Sequence, residues 1–410
     1  MDTNKTIKEF LNRHGFHETV ADGLHEKIIS DMNLGLAGEK SDQAMLQGSK
    51  ASVREIQQGE TAIVIDAGGT NFRSCLVTKN NNGISVSHFE KTAMPGIERN
   101  LTKEEFFKQI AENIFRLKDL SDRISFCFSY AMEITEDGDG KILKFSKEVK
   151  AHEAEGSFLG KELMAELAKQ GWKRVKKINV LNDTAALLLS GILSTQEQIK
   201  SSHIAFILGT GMNSAYIHND RIIVTECGMF NQIPQSDFDI IVDKKSSQPK
   251  QSILEKMCSG VYLGQIVHAM IEVACNEKLF SPAFTSFFSS KAKNFQKLTA
   301  AHLDPILKDE GELINAGTSE DAYILKYLTT STVLRSANLV AEAICAAVLS
   351  ADKKNESHQV CIACNGSTFW KTPLLKETVE SRLKKLISEN FEIVQIENDI
   401  TAGTFAAAFI

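Results

Sequence analysis

What this chain lacks narrows the field before anything it contains. It has no run of the roughly 18 uncharged apolar residues that a membrane helix needs. Its first ten residues carry charges where a secretory signal would carry an apolar core. A cytoplasmic protein is therefore expected. Positive charge is not in excess either: 46 basic side chains against 52 acidic ones leave a net charge of -6. Nothing electrostatic then favours nucleic acid or an anionic membrane as a partner, and a small-molecule ligand is the expectation. A disulfide framework is also missing, because the eight cysteines are scattered and lie mostly in apolar runs that suit reduced, buried thiols. Cys361 and Cys364 form a CxxC pair, but VCIAC reads as a buried strand whose positions i and i+3 face opposite sides. No second pair follows to complete a metal site. The ten histidines include no HExxH pair, and no structural metal is expected.

What is present is an ordinary globular composition, 43% hydrophobic and 24% charged, spread over 410 residues. Single cores rarely grow beyond about 250 to 300 residues, so two lobes are expected. The first 55 or so residues are polar and helix-prone, a leader packed on the main body. From Thr61 onward, short β-rich runs (TAIVIDAGG, FRSCLVT, ISVSHF, RISFCFS, KINVLN) alternate with helical stretches such as Thr102 to Lys118, SFLGKELMAELAKQG and DTAALLLSGIL. The second half repeats the theme with HIAFILGTG, NSAYIHNDRIIV, the helix-prone EKMCSGVYLGQIVHAMIEVA and SEDAYILKYLTTSTVLRSANLVAEAICAAVLSAD, the strands HQVCIAC and FEIVQI, and a closing helix from Ala402. The pattern is that of sheets covered by helices. IVIDAGGTNFRSCLV and IAFILGTGMNSAYI form a weak internal repeat, as two related lobes facing one cleft would produce.

Chemistry concentrates at three places. Asp66, Gly68, Gly69, Thr70 and Asn71 put a carboxylate and several bare amides at one tight hairpin, which can approach a polyphosphate closely or can be a structural turn. Gly209, Thr210 and Gly211 form a second such turn about 140 residues on, the arrangement a split nucleotide site needs, while the GxxxxGK[ST] loop is absent. Between them, NVLNDTAALL runs a strand into a helix with Asn182 and Asp183 at the strand's carboxyl end, where ligands of open α/β sheets gather. Asp183 there is either a helix cap or a carboxylate placed to take a hydroxyl proton.

From about Asn33 to its end, the chain resembles the hexokinase family, which includes glucokinases, within the actin-like superfamily of two-lobed phosphotransferases. IVIDAGGTNFR is similar to the family's first phosphate motif, FSYAMEITEDGDGKILKFSKEVKAHEAEG to its sugar signature, and VLNDTAA to its catalytic segment. ILGTGMNSAYI is similar to the second phosphate motif, and TECGMF with LEKMCSGVYLG to the last sugar-binding segments. The resemblance implies an α/β fold of two actin-like (ribonuclease-H-like) lobes, each a mixed five-stranded sheet flanked by helices. It also implies a helical segment over 1–58 on the large lobe, a small lobe over 59–182 plus 400–410, and a large lobe over 183–399. It implies transfer of the terminal phosphoryl group of MgATP to the 6-hydroxyl of glucose or a related hexose, with ATP and Mg2+ as cofactors. Asp183 would be the general base, with Lys147 the second catalytic residue. Ser129, Ser146, Lys147, Asn182, Asn213, Glu226 and Glu255 would hold the other hydroxyls. Asp66, Gly68, Gly69, Thr70, Asn71, Arg73, Gly209, Thr210, Gly211, Gly366, Ser367 and Gly403 would fall on the nucleotide side, although Arg73 can equally be an ion pair.

The chain departs from the family pattern in places. FSFP reads FSYA, with Tyr130 and Ala131 for Phe and Pro; WTKGF reads FSKEV, where Ser146 keeps the hydroxyl; a Trp and a DNG are missing from ECGMFNQIPQS. The bacterial sugar kinases with a Cys-rich zinc signature are disfavoured, since no CxCGxxGC occurs. Three other readings stay open: an amino-sugar kinase of N-acetylglucosamine type, a non-catalytic sugar sensor, and a polymerising actin-like ATPase. The sensor predicts loss of the base or the phosphate turns, all of which are present, and the polymer leaves the hydroxyl-binding set unexplained.

Overall fold

A computed structural model describes residues 3–81, 83–145, 148–195, 200–291, 298–353 and 358–410. Strand β1 (Leu46–Lys50) precedes two versions of one arrangement. The first has β2 (Thr61–Gly68), β3 (Asn71–Asn80), β4 (Gly83–Ala93) and β5 (Arg123–Phe128). The hairpin β6 (Ala131–Ile134) and β7 (Gly140–Lys144) follows, then β8 (Lys177–Leu181), and the sheet order is β4-β3-β2-β5-β8. The second has β9 (His203–Leu208), β10 (Met212–His218), β11 (Arg221–Val224), β12 (Val360–Asn365) and β13 (Phe391–Val394), in the order β11-β10-β9-β12-β13. Within each set the first three strands pair antiparallel and the last two are added parallel. This shared topology is what the sequence repeat reflects, and it brings the β2–β3 and β9–β10 turns to equivalent positions.

Five strands per lobe holds for the first sheet and is corrected for the second, which has six. The extra strand is β1, antiparallel to β11, with Leu46 opposite Val224 and Gln47 opposite Ile223. Its residues, LQGSK, include no β-branched side chain, so local propensity does not mark it. The open edge of β11 recruits it, and at Gly48 an added Cβ would stand 3.2 Å from the Ile222 carbonyl oxygen.

The leader is nonetheless helical over Thr3–Arg13 and Leu24–Leu36, and Ile7, Phe10, Leu11, Ile28 and Met32 bury into the large-lobe core. Helix Ser319–Ser350 is long and apolar enough to cross a membrane, with a mean hydropathy of 1.5 in its most apolar window. Most of its side chains, from Leu325 to Val348, are buried in that same core, which accounts for the composition. The helix expected over Thr102–Lys118 is shorter, Lys103–Asn113, with Thr102 and Glu105 closing a reciprocal capping box. Cys361 and Cys364 are buried thiols on β12; Ile362 and Cys364 join the large-lobe core while Ala363 faces the opposite cluster.

Two helices join the sheets. A central helix, Asp183–Ser194, leaves β8 and packs on β9 and β12. A closing helix, Asp399–Ala407, starts three residues before the expected Ala402 and packs on β2, β5 and β8. Small residues (Ala185, Ala186, Ala406, Ala407) let the two lie close. At Gly403 an added Cβ would stand 1.6 Å from the carbonyl oxygen of Ala186, so the crossing tolerates only glycine.

Candidate active site

The β2–β3 turn closes with Gly68 paired to Asn71, leaving Gly69 and Thr70 exposed at its tip. Gly69 has φ of 57°, and nothing lies within 4 Å of where its side chain would begin. Asp66 and Arg73 face each other across the hairpin, and Arg73 Nη1 donates to Asp66 Oδ2 at 2.6 Å. Of the two readings of Arg73, the structure displays the ion pair. The β9–β10 turn is matched in kind. Gly209 N donates to Gly211 O at 3.0 Å and Thr210 is exposed. Behind it, Gly260 N and Thr368 Oγ1 both donate to Gly209 O, at 2.8 and 2.9 Å. Gly366, with φ of 114°, packs so tightly on Leu208 that a Cβ would be 2.1 Å from its carbonyl oxygen, and Ser367 opens the short helix beside it. Gly403 does not join this group in the structure: its contact is the helix crossing described above.

The segment EKMCSGVYLGQIVHAMIEVA reads as one helix but is broken at Ser259 into Ile253–Cys258 and Gly260–Asn276. The break frees the Gly260 amide to meet the second turn, a contact that sequence reasoning does not anticipate. The Ser-Gly pair at 259–260 was the available signal.

Asn182, not Asp183, caps the central helix: its Oδ1 accepts from Ala185 N at 2.8 Å. This corrects the capping reading of Asp183: the cap position belongs to Asn182, and the carboxylate one residue further on takes its hydrogen bonds from the neighbouring Thr184. Asp183 is half-buried, accepts from Thr184 Oγ1 at 3.3 Å, and lines a cavity of about 700 Å³ with Ser129, Asn182, Asn213 and Glu226. Asn213 Nδ2 donates to Glu226 Oε1 at 2.6 Å, and its Oδ1 accepts from Ser214 N and Glu226 N. Glu255 adjoins through Met212, whose amide it accepts at 2.9 Å. A Cβ on Gly211 would stand 2.7 Å from Glu255 Oε2, so the second turn and this carboxylate touch. Ser146 and Lys147 lie outside the described residues.

Burial pushes the Asp183 carboxyl above its ordinary value; hydrogen bonds from Thr184 oppose the rise and the Asp66 carboxylate adds to it. Burial also raises Glu226, with Asn213 opposing and the charges of Asp183 and Glu255 adding. Glu255 is raised by burial too, against the Met212 amide and Lys256. Asp183, Glu226, Asn182 and Asn213 on one wall of the cavity, with Glu255 behind Met212, suit a ligand whose hydroxyls both donate and accept, which describes a polyol. Donors for an anion are offered by the two glycine turns. Magnesium commonly reaches such sites on phosphates with one or two carboxylates rather than in a protein cage. Asp66 beside the first turn is a carboxylate such an ion could reach, and no cluster of three or more His, Cys, Asp or Glu that could hold a metal occurs among the described residues.

Comparison with known proteins agrees with this geometry. Two family models described as hexokinase match residues 6–193 and 203–410. Hexokinase-1 of Schizosaccharomyces pombe is 24% identical, over 98% of this chain and 90% of its own. The solved hexokinase from Schistosoma mansoni complexed with glucose superimposes with a TM-score of 0.75 at 22% identity, covering 100% of this chain and 99% of that one. A ROK family glucokinase from Streptomyces griseus, solved with glucose and AMPPNP, matches less well, with a TM-score of 0.50 at 14% identity over 85% of this chain and 98% of its own.

Proposed function

The chain belongs to the hexokinase family, and we propose on that footing that it is an ATP-dependent hexose kinase with Asp183 as its general base. The observation that carries the reading is the division of labour at the start of the central helix. Asn182 takes the helix amide, and the Asp183 carboxylate is left in a hydroxyl-seeking cavity near the first of two phosphate-type turns. Its raised proton affinity suits a group that must take a proton from an alcohol.

The hexose would sit with Asp183 at its 6-hydroxyl, and Ser129, Ser146, Lys147, Asn182, Asn213, Glu226 and Glu255 would hold the remaining hydroxyls. The amides of Gly68–Asn71 and Gly209–Gly211, with Gly366 and Ser367, would cradle the nucleotide. MgATP supplies the phosphoryl group and a cation that offsets the charge on its oxygens. As the proton leaves the 6-hydroxyl for Asp183, the sugar oxygen bonds to the γ-phosphorus and the bond to the β,γ-bridging oxygen breaks, releasing ADP. Lys147 is the second catalytic residue of this reading. Closure of the lobes excludes water that would otherwise accept the phosphoryl group.

A coupled ADP-release assay over glucose, mannose, fructose and N-acetylglucosamine tests the reading. ADP release well above the ATP-only background is expected with at least one hexose, and none when the divalent ion is omitted. Background rates across the whole panel would transfer the case to the non-catalytic sugar sensor.

A further inference from the structure

Tyr130 borders the cavity beside Ser129, but its hydroxyl is turned to a contact that the kinase reading does not use. β5 ends at Phe128, and the next residue, Ser129, lines the cavity while its amide donates to Ala67 O at 2.9 Å. A Cβ on Gly68 would stand 3.1 Å from Ser129 Cβ, so the strand end and the first glycine turn are in contact. Tyr130 then reaches across and its hydroxyl donates to the carbonyl oxygen of Gly69 at 2.7 Å. Its ring is held by Phe128 and Phe145, with centroids 4.7 and 5.6 Å away. Burial pushes the phenol above its ordinary value, which keeps it a donor across the physiological range.

The Gly69 carbonyl and the Thr70 N–H belong to one planar, trans peptide unit, so they point in opposite directions. Holding the carbonyl toward Tyr130 therefore aims the Thr70 amide away from it, at the exposed tip of the turn. A glycine at φ of 57° has no Cβ to stop that peptide from rotating, so the restraint must come from outside the turn. The phenylalanine of the family-like motif has no hydroxyl to supply it.

We propose that Tyr130 is a positioning residue that locks the Gly69–Thr70 peptide for phosphate and ties the first phosphate turn to the sugar-binding segment. The proposal rests on the reading of that turn as part of the nucleotide site. Tyr130→Phe keeps the ring packing and removes only the hydrogen bond. Titration calorimetry with MgAMPPNP, and separately with glucose, gives the comparison. The nucleotide dissociation constant is expected to rise about three- to tenfold, with the glucose constant within about twofold and the melting temperature nearly unchanged. An unchanged nucleotide constant overturns the proposal, as does an equal weakening of both ligands with a lowered melting temperature, the mark of a merely structural residue. A parent protein that binds no nucleotide overturns both this and the kinase reading. A parent that binds nucleotide yet phosphorylates no hexose overturns the kinase reading alone, and the affinity comparison still decides the case of Tyr130.

Discussion

At the scale of single residues, the chemistry turns on which neighbour takes which job. Asn182 and Asp183 are both good helix caps in the abstract; the backbone gives the cap to Asn182 and sets the Asp183 carboxylate at the cavity wall beside Thr184. Asp183→Asn keeps shape and one acceptor but cannot take a proton, so kcat should fall by a factor on the order of 100 to 10,000. Sugar affinity should weaken by only about a kilocalorie or two per mole. A kcat within about threefold of the parent, in a variant shown to be folded, would remove Asp183 as the base. The same substitution has a stability consequence of opposite sense. A carboxyl raised in the folded state contributes stability that is present below its ordinary value and lost as pH rises through the raised one. In the ligand-free protein Asp183→Asn should therefore raise the melting temperature near about pH 8, with the gain fading toward about pH 4. Calorimetry across that range checks the sign, and a variant less stable than the parent at the upper end contradicts it.

At the scale of elements, what the sequence makes legible is whatever periodicity and turn chemistry determine locally. The helix before Gly171, the strand into DTAALLL and the two glycine hairpins all stand where the pattern put them, since each is specified by its own residues. β1 escapes because LQGSK has no strand propensity and acquires its conformation from the edge of β11. The break at Ser259 escapes because its cause, the Gly209 carbonyl, is some 50 residues away in sequence. Asn182 as the cap, and the ion pair of Arg73 with Asp66, likewise needed the backbone before they could be assigned. Gly403 illustrates the converse. The family-like segment around this glycine points to the nucleotide, whereas the contact observed is the crossing of the central and closing helices. Gly403→Ala should destabilise the protein by about 1 to 3 kcal/mol or more through overpacking, measured by urea unfolding. A cost under about half a kilocalorie per mole, typical of a surface substitution, would mean that the crossing has room to relax.

At the scale of the whole molecule, the two sheets share one topology and meet chiefly through two helices, so a ligand that contacts both sides links them further. Ser129 follows β5 of the first sheet, while Asn213 and Glu226 lie on and just beyond the strands of the second. A sugar bridging them binds a closed state better and shifts the population toward it. Small-angle scattering at saturating glucose should show a radius of gyration reduced from the roughly 22 Å expected of a compact chain of this length; an unchanged profile would remove the bridging assignment. The central claim, phosphoryl transfer to a hexose in this cleft, is tested most directly by identifying the product. Phosphorus NMR of the protein incubated with glucose and MgATP should show ADP growing in step with a phosphate monoester on carbon 6. ADP accompanied only by inorganic phosphate, or no change in ATP at all, would contradict it.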